Sequence, residues 1–582
     1  MSSRSLPALF CFTLALTTAC KAPAGAGSGS NWNQFVSGFL ETYFQANPLF
    51  AVYQGRHDFD GRFPDWSGAG LKSWTGRLHQ LRDSAVAFPV DSADPASRFE
   101  RDYLVAVIDR DLFWMERADW PHRNPSWYTD QLDPNVYLAR PYAPLAERMK
   151  SYTRWAGGLP TALAQIRANL RTPLPKAYTD IGRGRFGGLA SYLEKDVPVA
   201  FDSVRDSLTQ KEFATANTAA IRALKDLDSW LATEQKRGTN DYAMGRELFA
   251  DMLKSTEMVD VPLDRLEALG RADMDRNLKA LKEACARFAP GQTMSQCMSR
   301  MNAHKPVGGA VAAARAQLDT LEAFVRSKNL VSVPGTEKAL VHEAPPYQRF
   351  NFAYIDIPGP YEKNIPSIYY IAPPDPTWPP AEQAAYVPGV ADLLFTSVHE
   401  VWPGHFLNFL HSNRAQSKFG QVFVGYAFAE GWAHYAEEMM WEAGLGNGDP
   451  ETHIGQLANA LLRNARFLSA IGLHTQGMTV AQSERLFREQ AYQDPGTARQ
   501  QALRGTYDPA YLNYTLGKLM IRSLREDWTK SRGGRDAWHD FHDQFLSYGG
   551  PPIPLVRRAM VGTGPALSEG TETALRTERR KP

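Results

Sequence analysis

The sequence carries few cysteines, no surplus of either charge, and no long apolar run beyond its N-terminal segment. The four cysteines are Cys11, Cys20, Cys285 and Cys297, too few for a disulfide-rich scaffold and without the paired spacing of a structural zinc site. Lys and Arg number 64 against 63 for Asp and Glu, a formal net charge of +1. A phosphate-binding surface needs a large excess of cations, so no nucleic-acid partner is expected. No run of about 20 apolar residues follows the N-terminal segment, so nothing downstream is expected to span a bilayer as a helix. No segment repeats at a fixed period, which argues against a solenoid or a propeller.

What is present begins with an export signal. Arg4 supplies the positive charge, Leu6–Ala19 the apolar stretch, and Thr17, Thr18 and Ala19 the small residues before Cys20. This predicts a signal peptide over residues 1–19. Cys20 after small residues resembles a bacterial lipobox, which would make it the lipid-bearing first residue of an envelope protein on the periplasmic side. Ordinary cleavage nearby is the alternative and would leave a periplasmic or secreted protein. Residues 20–30, ending in APAGAGSGS, read as a flexible tether. Membrane contact is then expected through Cys20 alone. Residues 31–564 form the expected catalytic domain, and 565–582 a polar, frayed tail. At 43% hydrophobic residues, a chain of this length can bury one large core or two fused lobes. The oligomeric state stays open.

Apolar residues recur at three- and four-residue steps over most of the domain, so a mainly α fold is expected. Helices are predicted at Trp32–Gln45, Thr161–Leu170, Ala214–Lys236, Asp264–Phe288 and Val311–Lys328. Phe350–Ile357 and Ser367–Ala372 differ, being aromatic and β-branched, and predict two strands of a small sheet or hairpin. Pro373, Pro374, Pro376, Pro379 and Pro380 then enforce an extended connector. Cys285 and Cys297 flank a break at Pro290-Gly291, between the helix ending near Phe288 and a short one near Met294–Met301. They form either a disulfide or two buried thiols.

Chemistry concentrates in Leu393–His411, LLFTSVHEVWPGHFLNFLH. It offers His399, Glu400 and His405 on one predicted helix. Zinc is bound by neutral imidazoles and carboxylates, with one position left open when the site is catalytic. In the common His-Glu-x-x-His helix the two imidazoles stand four residues, about one turn, apart. Here they stand six apart, which on an ideal helix turns the second ring away by roughly 120°. The intervening residues supply the remedy. Pro403 cannot donate to the preceding turn, and Gly404 tolerates the irregular backbone that results. A helix broken at Trp402–Gly404 can carry the extra residues in a bulge and return His405 to the face of His399.

His-Glu-x-x-Pro-Gly-His, followed at 430–437 by Glu-Gly-Trp-Ala-x-Tyr-x-Glu, resembles a large bacterial family catalogued only as domain of unknown function 885. Many of its members are lipoproteins. The family is distantly similar to helical gluzincin-type zinc peptidases, among them oligopeptidases, thermostable carboxypeptidases and angiotensin-converting enzyme. The resemblance runs from Asn31 to Val561. It includes Asn47-Pro48, Gly55-Arg56-His57, the strand pair, and Tyr511-Leu512-Asn513-Tyr514 with Gly517. It implies a large two-lobed helical fold with the strands beside an active-site cleft, and one Zn²⁺ per chain. It also implies Glu430 as the third ligand, and the residues agree, since such a site needs a carboxylate from a second helix. Glu437, seven residues on, would hold a ligand imidazole in place. His434, one turn after Glu430, is the rival ligand. Glu438 and Glu442 read as a solvated face.

The resemblance further implies a water made acidic by zinc, with Glu400 as general base. Stabilisation of the tetrahedral state would fall to His474 and Tyr514, which match the later motifs. Ala470 stands where the family often has Asp, so that position supplies His474 with no orienting carboxylate. Tyr369 and Tyr370 are candidate cleft-wall residues, and Arg466, Arg504 and Arg525 candidates for a substrate carboxylate. The expected activity is zinc-dependent hydrolysis of short peptides, of the oligopeptidase or carboxypeptidase kind. The alternatives are a zinc hydrolase of a non-peptide amide or ester, and a metal-binding lipoprotein without activity.

Overall fold

Helices with one apolar stripe must bury it against one another, and here they do so around two cores. The computed structural model describes residues 28–90, 94–129, 131–349, 351–562 and 567. The expected signal peptide, the expected lipid site at Cys20, residues 20–27 of the expected tether, and the tail apart from Leu567 lie outside these residues. Ser28–Ala46 is helical throughout, so the tether expected to reach residue 30 ends before Ser28.

The first core gathers that helix (α1) with α2 (Leu145–Asn169), α3 (Lys176–Lys195) and α4 (Ser207–Gln235). Trp32, Phe39, Tyr152, Trp155 and Leu224 are buried in it. The helix expected at Thr161–Leu170 starts earlier: α2 runs from Leu145 through Pro160. The second core is built by α5 (Arg246–Glu257), α6 (Leu263–Phe288), α7 (Met294–Ala303), α8 (Ala310–Ser327) and the later helices. A disulfide joins Cys285 to Cys297 and ties α6 to α7, with Cα atoms 5.8 Å apart. Tyr347, Phe419 and Phe423, late in the chain, insert into the first core and fuse the two lobes.

The sheet has three strands, not two: β1 (Ala339–Glu343), β2 (Ala353–Asp356) and β3 (Ser367–Ile371), in the order β1-β3-β2. β3 is central and wholly buried, antiparallel to β2 and parallel to β1. Arg140, from the first lobe and 1% exposed, reaches the far end of β2. It donates to Asp356 (3.2 Å through Nε), to Glu362 (2.7 Å) and to the Ile357 carbonyl (3.2 Å). The His57 ring lies between Asp60 (3.0 Å) and Glu362 (3.2 Å). The N-terminal Gly55-Arg56-His57 segment is thus bound to the strand connector.

The elements that shape the site follow: α9 (Val390–Glu400), α10 (His405–Ser412), α11 (Tyr426–Glu442), α12 (Pro450–Thr475), α13 (Pro495–Tyr507) and α14 (Asn513–Thr529). α12 is buried nearly all round and forms the axis of the second lobe.

Candidate metal centre

The predicted metal helix is in fact two helices. α9 ends at Glu400 and α10 begins at His405, so the backbone stops and restarts rather than bulging within one helix. The Trp402-Pro403 bond in the turn is cis. The Gly404 N–H donates to the Val398 carbonyl at 3.0 Å. A Cβ on Gly404 would sit 1.8 Å from the His399 carbonyl oxygen, so the turn closes only on glycine. Trp432, from α11, secures it by donating its indole N–H to the Pro403 carbonyl at 2.7 Å.

A second glycine pair brings up the remaining parts. Cβ atoms on Gly431 and Gly517 would each fall within 2.6 Å of the other residue's Cα, so α11 and α14 cross backbone to backbone. That crossing sets Glu430 and Tyr514 beside the broken helix.

The outcome is a convergent donor set. Glu430 Oε2 lies 3.2 Å from His399 Nε2 and 3.1 Å from His405 Nε2. All three donor atoms fall within 4.8 Å of one another. His399 donates through Nδ1 to Glu437 Oε1 at 2.7 Å. With Nδ1 carrying the proton, a neutral ring would turn an Nε2 lone pair toward a carboxylate lone pair, an arrangement that asks for a cation between them. Donors about 2.0–2.1 Å from a tetrahedral zinc stand about 3.3 Å apart, close to the spacings seen here. The residues therefore fit a divalent ion of the zinc type.

Burial opposes ionisation of Glu430, yet the His405 and His399 imidazoles, acting as cationic donors where no ion is present, hold its carboxyl well below the usual range; a cation seated among them would act in the same direction. Burial likewise opposes charge on Glu437, and Arg463, at 3.3 Å, keeps it low. Glu400 goes the other way. Burial pushes it up to about 7, with Glu430 and Glu437 adding to the rise and His405 and Arg463 opposing it.

His399, Glu400, His405, Glu430 and Tyr514 all line one cavity of about 1230 Å³. Tyr514 stacks near His399, with ring centroids 5.9 Å apart, and accepts a hydrogen bond from Arg504 at 3.3 Å. His474 is not brought to this cavity. It is buried between Gly505, whose carbonyl lies 2.7 Å from Nε2, and Phe249, and burial pushes it down to about 4. Among the described residues its Nδ1 has no partner, consistent with Ala470 offering no carboxylate.

Several other expectations are corrected. His434 stands outside the donor set, with Nδ1 3.4 Å from Glu437. Glu438 is not on a solvated face: it is 6% exposed and ion-paired to Arg276, Arg522 and Lys518. Glu442 pairs with Arg525, which is thereby taken up away from the cavity. Tyr369 and Tyr370 belong to the buried central strand, and Tyr370 accepts a hydrogen bond from Asn135. The cavity wall is instead the neighbouring edge strand, including Ala353, Tyr354 and Ile355. Arg463 had drawn no attention, although a cation in so apolar a helix as α12 needs a buried partner, here Glu437.

Against known proteins, the model of one family, described as a bacterial protein of unknown function (DUF885), matches residues 48–560. The chain belongs to that family. Among solved structures, a candidate lipoprotein of unknown function from Shewanella oneidensis is similar, with a TM-score of 0.73 at 23% identity. That match covers 92% of this chain and 100% of the other. A candidate lipoprotein from Colwellia psychrerythraea gives a TM-score of 0.76 at 18% identity, covering 95% and 100%. At these identities the family's fold is shared. No curated protein matches the sequence. No helix among the described residues is long and apolar enough to cross a membrane.

Proposed function

We propose that this family member is a zinc-dependent hydrolase of peptide bonds in short peptides, with one Zn²⁺ held by His399, His405 and Glu430. The observation that carries the reading is the single Glu430 oxygen shared by two imidazole nitrogens, at 3.2 and 3.1 Å, in a cavity that also holds Glu400. A structural ion would be closed off by a fourth protein ligand, whereas a three-donor set leaves a position for water.

Bound zinc would supply Lewis acidity and a water that ionises near neutral pH. The chain's own groups do the rest. Glu400 accepts the proton of the attacking water and returns it to the leaving amine. Tyr514, oriented by Arg504, donates its hydroxyl to the developing oxyanion. Glu437 fixes the His399 ring and its tautomer. The β2 edge offers backbone groups along which an extended substrate can lie. The Cys285–Cys297 disulfide suits an oxidising compartment, and the similar structures are described as candidate lipoproteins. Both favour export, and the second favours a lipid on Cys20.

The test is mass-spectrometric profiling of a peptide library with and without chelator, alongside metal analysis, for the wild type and Glu400→Gln. We expect about one zinc in each protein, and cleavage that falls at least about 100-fold in the variant. A wild-type chain that holds zinc yet cleaves no peptide would refute the reading.

A further inference from the structure

Arg466 projects from α12 into the cavity and is only 3% exposed, yet among the described residues it has no carboxylate partner. The two buried arginines that weigh on it are compensated: Arg463 by Glu437 at 3.3 Å and Arg504 by Asp508 at 2.9 Å. Arg466 donates only through Nε, to Gln501 Oε1 at 2.8 Å. Among the described residues the two Nη groups have no hydrogen-bond partner. A buried guanidinium without a counter-ion is costly, and burial together with the nearby Arg504 and Arg463 weakens its hold on a proton. The geometry of what remains is specific. One edge of the fork is pinned by Gln501, and the side chain lies over the Tyr514 ring at 4.5 Å. The paired Nη donors are left for a planar anion with two oxygens.

The position narrows the ligand. Tyr514 packs against both Arg466 and His399, so the guanidinium stands one ring away from the candidate metal ligands. One or two residues of extended peptide, at about 3.3–3.6 Å each, span such a gap. Gln501 also donates to Asn351 Oδ1 at 3.2 Å, tying the arginine to the segment that leads into the β2 edge.

We infer that Arg466 receives the free C-terminal carboxylate of the peptide, so that cleavage removes one or two residues from that end. The inference rests on the hydrolase reading for its substrate, but the carboxylate site can be measured without catalysis. N-acetyl-Phe-Ala and its C-terminal amide are titrated calorimetrically into chelator-stripped protein. The acid is expected to bind at least about tenfold more tightly than the amide. Arg466→Gln should erase that preference, and Arg466→Lys, which keeps charge but loses the fork, should restore only part of it. Equal binding of acid and amide by the wild type, or no binding of either, overturns the inference without recourse to any variant.

With zinc restored, longer acetylated peptides should shorten from the C-terminus, and their amides should be at least about 100-fold poorer in kcat/KM. An amidated peptide with an internal Glu serves as the control for side-chain carboxylates, and its rapid cleavage would count against the assignment. The loss in Arg466→Gln should appear mainly in KM, because the carboxylate lies away from the bond being broken. Acid-selective binding with no cleavage would refute hydrolysis and leave the carboxylate site standing. Internal cleavage of acid and amide alike would do the reverse.

Discussion

A methyl group on Gly404 would fall 1.8 Å from the His399 carbonyl oxygen, and the only relief is to move the turn that separates the two imidazoles. Gly404→Ala should therefore weaken zinc retention at least about tenfold while leaving the lobes folded, as read by chelator competition and circular dichroism. Glu437→Gln should lower affinity by about 10- to 100-fold, because Nδ1 of His399 loses the carboxylate that fixes its tautomer. Undiminished affinity in either variant would contradict the roles given to these residues. At this scale the sequence was informative where covalent geometry dictates the answer. Pro403 and Gly404 announced a broken helix because six residues of unbroken helix cannot turn both rings to one side. His474 lies away from the cavity despite its motif position, because a motif position says nothing of where a side chain points. Arg466 could be named, but not that it lacks a counter-ion, since that depends on partners from distant segments.

Among elements, the junction of α5 with α11 carries the clearest pH dependence. Glu257, at the end of α5, accepts from the Ala427 N–H at 3.3 Å and from Asn513 at 2.8 Å. Burial pushes its carboxyl up to about 8, above the ordinary 4.5. A folded-state pKa raised in this way contributes stability that is full below the unfolded value and is lost as pH rises through the folded one. The loss therefore falls between about pH 4.5 and 8. Glu257→Gln, which mimics the protonated acid, should stabilise the chain more at pH 9 than at pH 5. The difference should be at least about 1 kcal/mol, measured by urea unfolding at both values. The helical character of most of the chain could be read from its apolar spacing, and among the helices placed by residue α6 and α8 begin and end within a residue of expectation. β1 was not foreseen: its five residues, ALVHE, bury only Val341 and gain their strand character from pairing with β3. The Cys285–Cys297 bond could not be chosen from spacing, because a proline-glycine break permits many separations of the two helix ends.

For the whole molecule, Arg140 is the buried polar part of the joint between the lobes, beside the apolar insertion of Tyr347, Phe419 and Phe423. Its partners Asp356 and Glu362 lie more than 200 residues away in sequence, which is why nothing local foretold them. Removing one member of a buried ion pair leaves the others uncompensated, so Arg140→Met should cost about 3–5 kcal/mol in unfolding experiments. Loss of the exposed Lys225–Glu194 pair, by Lys225→Ala, should cost less than about 1 kcal/mol. Comparable losses from the two variants would mean that Arg140 does not join the lobes. The mainly helical build was legible from periodicity, while length left one core or two open and only the family resemblance implied two lobes; the joint was not legible.

The interrupted helix bears on how such proteins are recognised. A survey that demands two histidines one helical turn apart will pass over every chain in which the rings are reunited by a stop and a restart. Such chains are better sought by the obligatory glycine before the second histidine, together with the tryptophan on the neighbouring helix whose indole holds the turn.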